Sequence, residues 1–138
     1  MHRAWSGLAA ALLIAGCARA SGPPRIAIHS PCASCGMSIE DPRFACERHV
    51  GTGWRAYDAI ECLLRDMKVR PGGSAWLPDY DQATLHSGDS LWVVKGQFPT
   101  PMSGGFAAFM NRATADSIAA ATRGTVDRLA AFAEASEP

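Results

Sequence analysis

The chain has 138 residues, with 13 Lys and Arg against 13 Asp and Glu. A formal net charge of zero excludes the basic face by which proteins hold nucleic acid, and the length excludes the large catalytic folds, leaving one domain or two very small ones. Hydrophobic residues at 48% and charged residues at 19% are a globular composition rather than a disordered one.

Residues 1–16 read as a signal peptide. His2 and Arg3 give a basic start, and Leu8–Ala15 is an apolar run too short to span a membrane. The run ends in Leu13-Ile14-Ala15-Gly16-Cys17, which resembles the lipobox of bacterial lipoproteins, where cleavage precedes an acylated Cys. The competing reading is a plain secretory signal with an accidental Cys. Lipidation at Cys17 places the mature chain on a tether in the bacterial cell envelope, facing the oxidising periplasm. Ala18 rather than Asp after that Cys points to the outer membrane. Residues 17–30 are then the lipidated Cys and a flexible Pro/Gly/Ser spacer, with a short strand expected at Arg25–His29.

Residues 31–82 form the first unit. Alternation predicts a strand over Phe44–Val50, a turn at Gly51-Thr52-Gly53 and a returning strand over Trp54–Tyr57. Asp58 is an expected N-cap for a helix reaching about Val69. Its apolar stripe is Ile60, Leu63, Leu64 and Met67, and Pro71-Gly72-Gly73 stops it. Ala75–Tyr80 reads as a third strand. Residues 83–138 repeat the order: strand Ser90–Lys95, a Pro/Gly loop over 96–105, strand Phe106–Met110, and a helix over 112–122 with Gly124 past its end. A last strand over Thr125–Arg128 and a final helix over Asp127–Ala135 follow. The predicted fold class is α+β: two small ββαβ units in tandem, tethered by an N-terminal lipidated spacer.

The chemistry lies in sulfur. Cys32-Ala33-Ser34-Cys35 is a metal half-site, a redox pair or a structural disulfide. No second Cys or His pair follows at zinc-ribbon spacing. Gly36 and Pro42 argue against the helix start that a thioredoxin-like site needs. Met37, two residues after Cys35, makes a soft thiolate–thioether cluster of the kind that selects Cu(I). Met102 sits on the Pro/Gly loop Phe98–Gly105, where no helical or strand period places it in a core.

The chain resembles the NosL family of copper-binding accessory lipoproteins of nitrous oxide reductase. The likeness is carried by the lipobox ending at Cys17, Cys32-Ala33-Ser34-Cys35-Gly36-Met37, Ile39, Asp41 and Phe44-Ala45, then Tyr57-Asp58-Ala59-Ile60-Glu61-Cys62-Leu63-Leu64. It continues in Asp79-Tyr80, Leu91-Trp92-Val93-Val94, Thr100-Pro101-Met102 and Gly105-Phe106-Ala107-Ala108-Phe109. Family members often carry a His before the Asp-Tyr pair; this chain has Pro78. The resemblance implies a fold of two ββαβ units and a periplasm-facing chaperone that hands Cu(I) to the maturation machinery of a copper enzyme, its membrane transporter and periplasmic components. It places the metal on Cys35, Met37 and Met102, with Cys32 as a fourth sulfur. His29, three residues before Cys32, either completes the site or is an exposed histidine.

Cys46, on the Phe44 face of its strand, reads as a buried thiol. Cys62 lies on the helix side away from Ile60, Leu63, Leu64 and Met67, exposed or turned to the other unit, and the opposed faces argue against a Cys46–Cys62 disulfide. His49 and His86 read as surface, and Trp54, Trp76 and Trp92 as core. No catalytic constellation is visible, so the reading is a monomeric carrier and not an enzyme. Two alternatives stay open: an extracytoplasmic thiol–disulfide oxidoreductase using Cys32 and Cys35, and a structural lipoprotein with no metal. Met102 lies 67 positions after Cys35, so one ion reaches both only if the two halves face each other.

Overall fold

Val50, Trp54 and Tyr57, residues that favour extended backbone, mark the first strand pair, β1 (Cys46–Val50) and β2 (Gly53–Tyr57), antiparallel with Cys46 opposite Tyr57 and Val50 opposite Gly53. The computed structural model describes residues 22–135. The expected signal peptide, Cys17 and the start of the expected spacer lie outside the described residues, as does the end of the chain from residue 136. Helix α1 (Ile60–Val69) follows, then β3 (Ser74–Asp79), which pairs antiparallel with β1. A fourth strand, β4 (Thr84–Ser87), pairs with β3 and completes a sheet of order β2-β1-β3-β4. No strand is expected there from sequence, because Thr-Leu-His-Ser offers a single apolar residue to mark the alternation. The expected strand at Arg25–His29 is absent: the described backbone there is irregular, and the ladder contact in this region is an isolated bridge between Pro31 and Ser38.

The second half builds β5 (Trp92–Lys95), β6 (Phe106–Phe109), α2 (Arg112–Thr122), β7 (Thr125–Asp127) and α3 (Leu129–Glu134). Its sheet has the order β6-β5-β7, both pairs antiparallel. β5 and β6 read as near-continuous apolar runs because both their faces are covered. Val93, Phe106 and Ala108 enter one core cluster, while Val94, Ala107 and Phe109 enter another beneath α2. The fold is therefore α+β, with two small sheets and a ββαβ order in each half.

The two sheets are stitched together. The Tyr80 amide donates to Ala108 O at 2.8 Å, and the Met110 amide donates to Asp79 Oδ1 at 3.2 Å. The larger cluster draws on both halves: Cys46, Tyr57, Leu63 and Leu77 from the first, Leu91, Val93, Phe106 and Leu129 from the second. Trp92 is half-buried, with the Arg128 guanidinium 3.5 Å and the Arg112 guanidinium 4.4 Å from its ring centre. Trp54 and Trp76 are half-buried as well, on the open face of the first sheet. No helix among the described residues is long and apolar enough to cross a membrane.

Candidate metal centre

The Cys-x-x-Cys segment forms a closed turn. Cys32 N donates to Met37 O at 2.7 Å, Gly36 N to Cys32 O at 2.9 Å, and Ala33 N to Ala56 O at 2.8 Å. The last bond moors the turn to the end of β2. Gly36, at φ +77°, turns the chain between Cys35 and Met37.

Helix α1 supplies the opposite wall. Its N-cap is Ala59, with no side-chain cap bond, which corrects the expectation that Asp58 caps it. Asp58 is buried and instead accepts from the Cys35 thiol, 3.7 Å from each carboxylate oxygen. Asp58 precedes the helix and Cys62 lies in its first turn, and both reach the Cys32–Cys35 turn. Cys32, Cys35, Cys62 and Asp58 thus converge, with their ligand atoms all within 4.8 Å of one another. Three soft donors and one carboxylate at that spacing can hold a single metal ion.

Within this group Cys32 and Cys62 are buried and Cys35 is half-buried. Burial pushes the Cys35 thiol above its ordinary pKa, against a smaller downward pull from the Met37 backbone amide. Burial pushes Cys62 up further, aided by its hydrogen bond to Asp58. Metal binding must displace these protons, so affinity rises with pH. All four described cysteines are free. Cys46 is fully buried, its thiol donating to Ala59 O at 3.5 Å, and it is not one of the four converging residues.

The other expected ligands fall in three places. Met37 is half exposed at the rim of the turn. Met102 is half-buried and packs, like Cys35, against the larger core cluster. His29 stands outside the group: its ring is 75% exposed and Nδ1 lies 3.0 Å from Glu40 Oε2. Asp58 and Cys62 are the members that sequence reasoning missed. The available signal for Cys62 is its four-residue spacing from the buried Asp66, which sets a second buried pair beside the apolar stripe of α1.

Fold and cluster together define a tandem ββαβ protein with a buried thiol–carboxylate group suited to a metal ion. Two solved chains match the fold, among them the copper chaperone NosL from Shewanella denitrificans, with a TM-score of 0.65 over 77% of this chain and 94% of that one at 16% identity. The expected fold relation is thereby shown. No protein-family model and no curated protein sequence matches the chain.

Proposed function

We propose that this protein is a Cu(I) carrier of the bacterial cell envelope, tethered through Cys17 and delivering copper for the maturation of nitrous oxide reductase. The observation that carries this reading is the convergence of three thiols and Asp58 within 4.8 Å. Cu(I) is the cargo that this many sulfurs favour. Cys32, Cys35 and Cys62 supply thiolates, and Met37 and Met102 supply thioethers from the rim and from the second half. Thioethers do not form disulfides, which suits an oxidising compartment. The likeness in fold to a copper chaperone supports the same reading.

Two features weigh against the oxidoreductase alternative. The Cys32–Cys35 turn is not the N-terminus of a helix, and Cys35 is shifted upward rather than toward a reactive thiolate.

The test is an anaerobic titration of the reduced full chain with Cu(I) against a chromophoric Cu(I) chelator. The expected result is one Cu(I) per chain, with a loss of more than about 100-fold in Cys35→Ser and in Cys62→Ser, since each removes a donor rather than a supporting partner. Wild-type affinity in both variants overturns the copper reading.

A further inference from the structure

Glu61 lies between the cysteine-bearing start of α1 and the loop that carries Met102. Its Oε1 accepts two hydrogen bonds from that loop, one from the Thr100 hydroxyl at 2.8 Å and one from the Gly104 amide at 2.8 Å. Thr100 Oγ1 in turn accepts from the Gly105 amide at 3.1 Å, and Ser103 N donates to Thr100 O at 3.0 Å. One carboxylate oxygen therefore holds both ends of the Thr100–Gly104 turn, with Met102 at its middle. The approach is close: a Cβ at Gly104 would lie 2.2 Å from Glu61 Cγ. The second oxygen, Oε2, is buried without a hydrogen-bond partner. Leaving a carboxylate oxygen so placed costs free energy, which stability of the helix does not require, because an exposed helical Glu is already satisfied by water.

We infer that Glu61 is the positioning residue that fixes Met102 toward the thiol cluster, so that the second half of the chain takes part in holding the ion. The inference rests on the copper reading and adds to it the device that brings a distant thioether to the site. Glu61 precedes Cys62 directly, so the Met102 turn is pinned to the same helical turn that presents a thiol. Removing the clamp leaves the thioether free to swing, and affinity falls although no donor is lost.

The test is a double-mutant cycle in the reduced full chain, reading Cu(I) affinity by chelator competition. Glu61→Ala and Met102→Ala are each expected to lose about tenfold in affinity. The double variant is expected to lose no more than Met102→Ala alone, because Glu61 acts only through Met102. Glu61→Gln, whose amide oxygen still accepts from Thr100 and Gly104, is expected to restore near wild-type affinity. Amide hydrogen exchange at Gly104 gives a copper-independent reading: faster in Glu61→Ala, protected in Glu61→Gln. Thr100→Val removes the hydroxyl arm and serves if Glu61→Ala does not fold; it should lower affinity in the same direction. Losses that add in the double variant, or a Glu61→Ala protein with wild-type affinity, overturn the role of Glu61 while the copper reading stands. A wild type that binds no Cu(I) overturns both.

Discussion

Glu47 and Asp66 are two buried carboxylates with opposite fates. Glu47 projects from the face of β1 turned away from α1, is 3% exposed, and has Oε2 without a partner. Burial raises its pKa to about 7. The folded chain then holds a proton that the unfolded chain releases near the ordinary value of 4.5, so stability falls as pH rises from about 4.5 to 7 and levels off above. Glu47→Gln should flatten that slope and stabilise the protein at pH 8 by on the order of 1–2 kcal/mol, measured by urea unfolding at pH 5 and pH 8. A variant with the wild-type slope would show that another group carries it. Asp66 faces the other way. Burial would raise its carboxyl, but the Tyr57 hydroxyl and the Arg55, Arg70 and Arg48 guanidiniums outweigh it and hold the pKa below the usual range. Tyr57 Oη and Arg48 Nη1 each lie 2.7 Å from Asp66 Oδ2, and Arg70 Nη1 lies 2.5 Å from Oδ1. Arg48, 1% exposed, also donates to Arg70 O and Gly72 O. Asp66→Ala would strand a buried guanidinium and is expected to cost about 3–5 kcal/mol, read as a shift in urea midpoint.

Helix α2 shows how far element boundaries are legible. The sequence places its limits at 112 and 122 and a Gly just beyond, and the helix is Arg112–Thr122. Asn111 caps its start, its side chain accepting from Ala113 N at 2.8 Å and Thr114 N at 3.2 Å, so Asn111→Ala should cost about 1 kcal/mol in urea unfolding. The end differs from the usual pattern. The left-handed residue is Arg123, at φ 53°, and not Gly124. Gly124 is small because a Cβ there would lie 2.4 Å from Lys95 O. Neighbouring substitutions should therefore act in opposite directions: Arg123→Gly stabilises by about 1 kcal/mol by relieving the left-handed backbone, and Gly124→Ala destabilises. Thermal melts of the two variants check the signs. Elements with a strong period, such as α1 and the apolar β5 and β6, are legible from sequence because burial on a regular surface leaves a periodic mark. β4 leaves almost none. The thiol–carboxylate group is legible only where its members are neighbours in sequence: Cys32 and Cys35 announce themselves. Asp58 looks like a helix cap, and Cys62 looks displaced from the core, until the fold lays the Cys32–Cys35 turn against that side of α1.

At the scale of the whole molecule, the two sheets share one core. Phe106, Ala108 and Leu129 pack in the same cluster as Cys46, Tyr57 and Leu63, so neither half buries its apolar face alone. A chain ending after β4 should lack cooperative unfolding and near-ultraviolet tertiary signal, whereas the full chain melts in a single transition; a cooperative melt of the truncated chain would refute the shared core. The unequal burial of the cluster carries a further consequence. Cys32 and Cys62 are sealed in, while Cys35 is half-buried beside the exposed Met37. The cluster has a mouth and a floor. On the proposed carrier reading, an incoming ion meets the mouth sulfurs first and the floor sulfurs last, and by microscopic reversibility it leaves in the opposite sequence. On that reading release ends with the ion held at the surface, still bound to this chain while already within reach of an acceptor, so cargo need never pass through water as a free ion.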